Sequence, residues 1–172
     1  MELLGGGNHS KTVAVRTPTG YTLVIKVFNE KADLEPFRNE LEIYNHLEKL
    51  QGVCIPVVVG SGESVYAGTM RCIIIMSYEG VTATNADLNL TDAMLDRIAS
   101  VFSAIHCNSV FHQDLSLANV LINDDKVTVI DFESATICER DAHVLKEEQR
   151  IVEEACDRVK VSGDKQFFMR DF

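Results

Sequence analysis

The segment from His112 to Glu133 limits most tightly what this chain can fold into. Val120 to Ile122 and Val127 to Ile130 are β-branched runs around Asn123-Asp124-Asp125-Lys126, a pattern that predicts a short hairpin. A hairpin folding back about Asp125 puts Asn119 just before one strand and Asp131 just after its partner. Cross-strand neighbours lie about 5 Å apart, so the two side-chain oxygens meet at the hairpin mouth and can share a hard divalent cation such as Mg²⁺. Asp114 precedes that site by one loop, where a carboxylate can accept or orient a hydroxyl proton while the cation holds a polyphosphate. Singly, Asp114 and Asn119 read as turn caps. Three polar positions in this spacing around one hairpin read instead as the division of labour that phosphoryl transfer needs.

Composition narrows the setting. A chain of 172 residues with 46% hydrophobic and 24% charged residues fits one folded unit and excludes collagenous, low-complexity and wholly disordered classes. Its 16 Lys+Arg against 26 Asp+Glu give a formal net charge of -10, which repels nucleic acid and anionic membranes, so neither is an expected partner. Five cysteines without C-x-x-C spacing suggest neither a disulfide framework nor a zinc site, and point to a reducing, intracellular compartment. No export signal is visible, and the most apolar runs are far shorter than the ~20 residues that span a bilayer. A cytoplasmic location is expected, with the nucleus as the alternative.

Element order follows from periodicity. Val13 to Arg16, a Thr17-Pro18-Thr19-Gly20 turn, and Tyr21 to Phe28 read as a hairpin. Phe37, Leu41, Tyr44 and Leu47 recur at helical spacing, predicting a helix from about Leu34 to Leu50 that Gly52 ends. Ile55 to Val59 and Ile73 to Met76 read as buried strands, so the first half is ββαββ. Thr91-Asp92 starts a second helix with Leu95, Ile98, Phe102 and Ile105 on one face. The hairpin and a charged helix over His143 to Lys160 complete the second half.

His112-Gln113-Asp114-Leu115-Ser116-Leu117-Ala118-Asn119 and Asp131-Phe132-Glu133 resemble the catalytic loop H-R-D-x-x-x-x-N and the D-F-G motif of the protein-kinase-like superfamily. The resemblance implies a lysine in the third strand, a glutamate in the first helix and a glycine-rich loop near the start. Lys26 sits in Leu23-Val24-Ile25-Lys26-Val27-Phe28, where an ammonium inside an apolar strand is costly unless it meets an anion. It matches the family's phosphate-binding lysine. Glu40, three residues after Phe37 and four before Tyr44, points with the buried stripe and matches the partner of Lys26, whereas Glu42 is turned away.

Gly5-Gly6-Gly7-Asn8-His9-Ser10-Lys11-Thr12 is one substitution from a Walker A loop, but that loop needs a preceding strand and a following helix, and β-branched Val13 to Arg16 follows here. By resemblance to the kinase loop, Gly5 and Gly7 match the first two glycines of G-x-G-x-x-G, Ser10 takes the third position, and Val13 covers the base. Met70 to Gly80 looks like the family's fifth strand and hinge, which implies Met76 at the back of an adenine pocket and backbone groups of Ser77 and Glu79 at its edge.

Four departures bear on activity: Gln113 stands where the family has arginine, Glu133 replaces the glycine of D-F-G, no A-P-E element follows, and few residues remain for further helices. Ile130-Asp131-Phe132-Glu133-Ser134-Ala135 is similar to the small atypical kinase of the tRNA-modifying KEOPS complex, to fungal kinase-like paralogues, and to choline or aminoglycoside kinases. The resemblance thus implies an α+β, protein-kinase-like bilobal fold: a β-rich N-terminal lobe over about 1–78 and a truncated helical C-terminal lobe over about 79–172. It implies an ATP- and Mg²⁺-dependent phosphotransferase acting on a protein Ser/Thr hydroxyl. By the same motif match it implies that Lys26 contacts the phosphates, Glu40 orients Lys26, Asp114 is the catalytic base, and Asn119 and Asp131 hold the metal. A pseudokinase that binds nucleotide or partner proteins and a small-molecule kinase are the alternatives.

Overall fold

The structure, a computed structural model, describes residues 2–6, 10–29, 34–85, 89–138, 142–163 and 165. Five antiparallel strands form its first sheet: β1 (Glu2–Gly6), β2 (Ser10–Arg16), β3 (Thr22–Phe28), β4 (Val58–Tyr66) and β5 (Thr69–Ser77), in the order β1-β2-β3-β5-β4. The hairpin expected around Thr17–Gly20 is β2–β3; Gly20 closes its turn by donating to the Thr17 carbonyl at 2.9 Å. β1 is an addition to the expected pattern. Its residues are all exposed, so no buried alternation marks it in the sequence, and it is held by its ladder with β2, where Gly5 faces Thr12. The first half is therefore βββαββ.

The helix after β3, α1 (Leu34–His46), stops earlier than its periodicity suggests, and a 3₁₀ turn carries the chain over Glu48–Leu50. Its inner face buries Glu40, Ile43 and Tyr44. The strand expected over Ile55 to Val59 starts only at Val58. The Leu50 carbonyl accepts from the amides of Val53, Cys54 and Ile55, which winds that stretch into turns, and Pro56 lacks the amide to enter a ladder.

The second half holds β6 (Val81–Thr82), α2 (Asp92–Cys107), β7 (Val110–Phe111), β8 (Val120–Asn123), β9 (Lys126–Val129), β10 (Thr136–Ile137) and α3 (Ala142–Ser162). Thr91 caps α2 by accepting from the Met94 amide at 3.3 Å. β8 and β9 form the expected hairpin, with Val120 opposite Val129, and the Ile130 amide extends the ladder to the Asn119 carbonyl at 2.9 Å. One continuous core joins the halves: Phe28 and Ile74 of the sheet, Ile43 and Leu47 of α1, Ile98 and Phe102 of α2, Val152 and Cys156 of α3. All five cysteines are free thiols, and Cys54, Cys72 and Cys156 are buried. Among the described residues no helix is long and apolar enough to cross a membrane.

Gly80 links the two halves. Its φ is +113°, and a Cβ there would lie 2.2 Å from the Ile122 carbonyl oxygen of β8. Only glycine permits both the backbone angle and the approach. Beside it, Glu79 is buried and pairs with Lys126 at 2.6 Å, fastening this crossing to the β8–β9 hairpin. Gly80→Ala is expected to cost about 2 kcal/mol from backbone strain and forced displacement, a fall of roughly 4–8 °C in Tm for a chain of this size, read by thermal denaturation.

Candidate active site

Between the sheet and the β8–β9 hairpin lies a cavity of about 370 Å³, within the size range of small-molecule sites. Strand pleating decides which side chains reach it. Ser10 and Thr12 of β2, Val24 and Lys26 of β3, and Met76 of β5 share the inward face, and Asn119, Asp131 and Glu133 close the opposite wall. Ser77 and Glu79 line the edge where the chain crosses between halves.

Lys26 is the centre of the cavity. Its Nζ lies 2.7 Å from Glu40 Oε2, 2.8 Å from Asp131 Oδ1 and 2.9 Å from Glu133 Oε1. Burial works against the ammonium, but the three carboxylates, Glu40 foremost, outweigh it and lift Lys26 above the ordinary lysine range. Burial pushes the Glu40 carboxyl up to about 7; Lys26 opposes that shift, while Asp131 and Glu133 add to it. The Ser10 hydroxyl donates to Glu133 Oε1 at 2.9 Å. The structure therefore brings Lys26, Glu40 and Asp131 together, and adds Glu133.

The opposite wall is built on hydrogen bonds to backbone. Asn119 Nδ2 donates to Asp114 Oδ2 at 2.8 Å and to the Asp114 carbonyl at 3.2 Å, which leaves the Asn119 side-chain oxygen uncommitted by these bonds. Asp114 itself is exposed. Burial pushes the His112 imidazole down, so the ring is neutral. Its Nε2 sits 3.1 Å from the Ile130 carbonyl, which can only accept, and its Nδ1 accepts from the Asp114 amide at 3.3 Å. Beneath this loop, Glu148 of α3 is 2% exposed and accepts from the amides of His112 at 2.9 Å and Gln113 at 2.8 Å, and from His106 Nε2 at 2.7 Å. Gln113, with φ +65°, donates its side-chain amide to Thr136 Oγ1 at 2.8 Å.

The remaining expected residues divide. Gly5 lines the cavity, as do Met76, Ser77 and Glu79; Gly7 lies outside the described residues. Val13 does not cover the cavity. It pairs with Ile25 on the outer face of the sheet, near Lys11 and Tyr66, and Thr12 takes the inward position because alternation from Ser10 puts even-numbered residues of β2 inside. The Ser77 amide is also spent, donating to the Val57 carbonyl at 3.0 Å, so it cannot serve a bound ring. Three residues were not anticipated: Glu148, Asn39 and Glu133. Asn39 Nδ2 of α1 contacts the carbonyls of Phe132, Glu133 and Ala135 at 3.3, 2.9 and 2.8 Å, pinning the turn after Asp131. For Asn39 the one signal in the sequence is its place beside Glu40.

Lys26, held by a helix glutamate and by an aspartate after a hairpin, thus sits in one cavity with Asn119, and the aspartate that Asn119 clamps, Asp114, lies outside the lining of that cavity. A sequence profile of the protein kinase domain matches residues 1–154, and the chain belongs to that family. It is 26% identical to NUAK family SNF1-like kinase 2 of Rattus norvegicus over 77% of its own length. The chain spans 22% of that relative. The fold is α+β and protein-kinase-like, and the family generally uses ATP and Mg²⁺.

Two outcomes test the site's internal supports. Lys26→Met leaves Glu40 buried without its cation, so its carboxyl pKa rises beyond about 7. Below pH 7 Glu40 is protonated in both folded proteins and their Tm gap stays constant. Above pH 7 the wild type ionises while the variant keeps a proton that its unfolded chain has released, so the gap widens by up to about 1.4 kcal/mol per pH unit. Melting both proteins at pH 6 and 8.5 reads it. Glu148→Ala strands three donors, two of them buried, and is expected to cost about 3 kcal/mol, or roughly 6–12 °C in Tm, with Gln at the same position recovering part.

Proposed function

We propose that the chain is an ATP- and Mg²⁺-dependent phosphotransferase, an atypical protein Ser/Thr kinase, carried by the observation that Lys26 Nζ is shared between Glu40 and Asp131 at the floor of the cavity. The cavity fits both groups: it offers an apolar strip from Val24 and Met76, a fixed ammonium, and the hard oxygens of Asn119 and Asp131. Bound ATP supplies the phosphoryl group and Mg²⁺ screens its charge. Lys26, oriented by Glu40, presents an ammonium to the phosphates; Asn119 and Asp131 supply metal-ligand oxygens. Asp114, held by Asn119 and by the Asp114 amide bond to His112, faces solvent and accepts the acceptor hydroxyl proton. Exposure of Asp114 supports a macromolecular acceptor, and the short connection from β9 to α3 leaves little chain for a small-molecule acceptor pocket. The free thiols support a reducing compartment, cytoplasmic or nuclear.

Glu133 favours a second reading, since it bonds the same Lys26 that phosphates would need: a pseudokinase serving as a binding module. The two separate cleanly. Asp114→Asn keeps an oxygen for the Asn119 bond, so it should retain the Mg²⁺-dependent thermal shift given by ATP while lowering transfer about 10²-fold or more. Asp131→Asn should lose both. A radiolabel-transfer assay with a generic protein acceptor, beside the thermal-shift titration, reads the pair. A wild type that shows the shift and no transfer to protein, small molecule or water assigns the chain to the pseudokinase reading.

A further inference from the structure

Glu133 is the residue of the site that neither the metal pair nor the phosphate lysine explains. Its position is built, not incidental. Asn39 holds the Phe132, Glu133 and Ala135 carbonyls, and Asp131 takes φ +68°, so the turn aims the Glu133 side chain inward, leaving it 15% exposed. One oxygen each from Glu40, Asp131 and Glu133 lie within 4.8 Å of one another, a spacing that fits a shared cation. A second observation points the same way. Glu40 is fully buried and lines the cavity, yet its Oε1 has no hydrogen-bond partner. Lys26 is the only cationic side chain among the described residues lining the cavity; of the four acids lining it, Glu79 pairs with Lys126 from outside, and the other three face one ammonium, a formal surplus of two negative charges.

That surplus opposes a polyphosphate. A nucleotide reaching Lys26 must displace Glu133 from it and then lie beside the displaced carboxylate. Both costs vanish if the carboxylate moves onto a cation that arrives with the phosphates. Resting on the nucleotide-site reading above, we propose that Glu133 is a further divalent-cation ligand, which exchanges Lys26 and Ser10 for the metal, so that nucleotide binds this chain only together with a divalent cation. The exchange transfers no covalent bond. Lys26 passes from Glu133 to the phosphates, and the Glu133 oxygen passes to the cation shared with Asp131.

The test compares wild type, Glu133→Gln and Glu133→Asp by calorimetric titration with a non-hydrolysable ATP analogue, in EDTA and in Mg²⁺, and by electron paramagnetic resonance titration of Mn²⁺ in the presence of the analogue. The Gln variant removes the charge and keeps the shape, so binding in EDTA should tighten roughly tenfold as a nearby like charge is lost, while Mn²⁺ affinity weakens about tenfold. The Asp variant keeps the charge and should retain the metal requirement. If the Gln variant changes neither the EDTA affinity nor the Mn²⁺ affinity while wild type binds the Mg²⁺ complex, the role of Glu133 is overturned and the nucleotide site stands. If no variant binds the analogue in either condition, the nucleotide reading itself fails, and this inference with it. Binding by the Gln variant in EDTA, where wild type shows none, supports the exchange directly.

Discussion

One ammonium group holds three separate parts of the chain in register. Lys26 comes from β3, Glu40 from α1, and Asp131 and Glu133 from the turn after β9, and Nζ lies within 2.9 Å of an oxygen from each acidic residue. Moving a charge of this kind out of water costs several kcal/mol, and a buried pair often returns little net stability. Its effect is on geometry. With Lys26 at 5% exposure and Glu40 at 0%, any arrangement that separates them leaves a buried charge uncompensated. The helix, the sheet and the post-hairpin turn are thus confined to placements that bring these four side chains together, and the cavity is the space those placements enclose.

A second line of contact runs beside the charges and explains how the loop that carries Asp114 shares that confinement. Tyr44, one helical turn after Glu40, packs edge-on to Phe132 with ring centroids 5.2 Å apart; Phe132 packs on His112 at 5.0 Å, and His112 on Phe102 at 5.8 Å. Helix α1 is coupled through this column to α2 and to the loop that carries Asp114. Because interiors are close-packed, a shift of α1 cannot be absorbed locally. The same His112 ring bonds the Ile130 carbonyl and the Asp114 amide, so packing and hydrogen bonding converge on one neutral imidazole.

Lys26, Glu40, Asn119 and Asp131 were legible in the sequence as members of the site; Glu148 and Asn39, which hold backbone groups, were not. Lys26 in an apolar strand and Glu40 on a buried stripe each predict an opposite charge, and spacing around the β8–β9 hairpin predicts Asn119 and Asp131. Glu148 and Asn39 act on amides and carbonyls brought near only by the tertiary fold, and such groups carry no residue identity to read. Glu148 in particular sits in a helix rich in Glu, Lys and Arg, where one more acid resembles its exposed neighbours. Val13 failed for a different reason. In a strand with a period of two, the inward set depends on a single residue of phase, and a glycine-rich loop of uncertain spacing cannot supply it. Thr12 took the position.

Glu133 shows why a departure from a family pattern is not read as a loss until its surroundings are known. Against the motif alone, a carboxylate replacing glycine subtracts backbone freedom. In the structure the freedom is not needed at that residue, because Asp131 and Gln113 carry the positive φ angles of this region and Asn39 fixes the turn. What the carboxylate adds is charge, placed 2.9 Å from Lys26 and bonded to Ser10 across the cavity. By the resemblance to the glycine-rich loop, Ser10 stands at the third glycine position, and its hydroxyl is what meets Glu133. The two replacements form one contact between the β-sheet and the post-hairpin turn, so each is intelligible only with the other. Two residues that touch form one interaction, and that interaction ends on the lysine at the floor of the cavity.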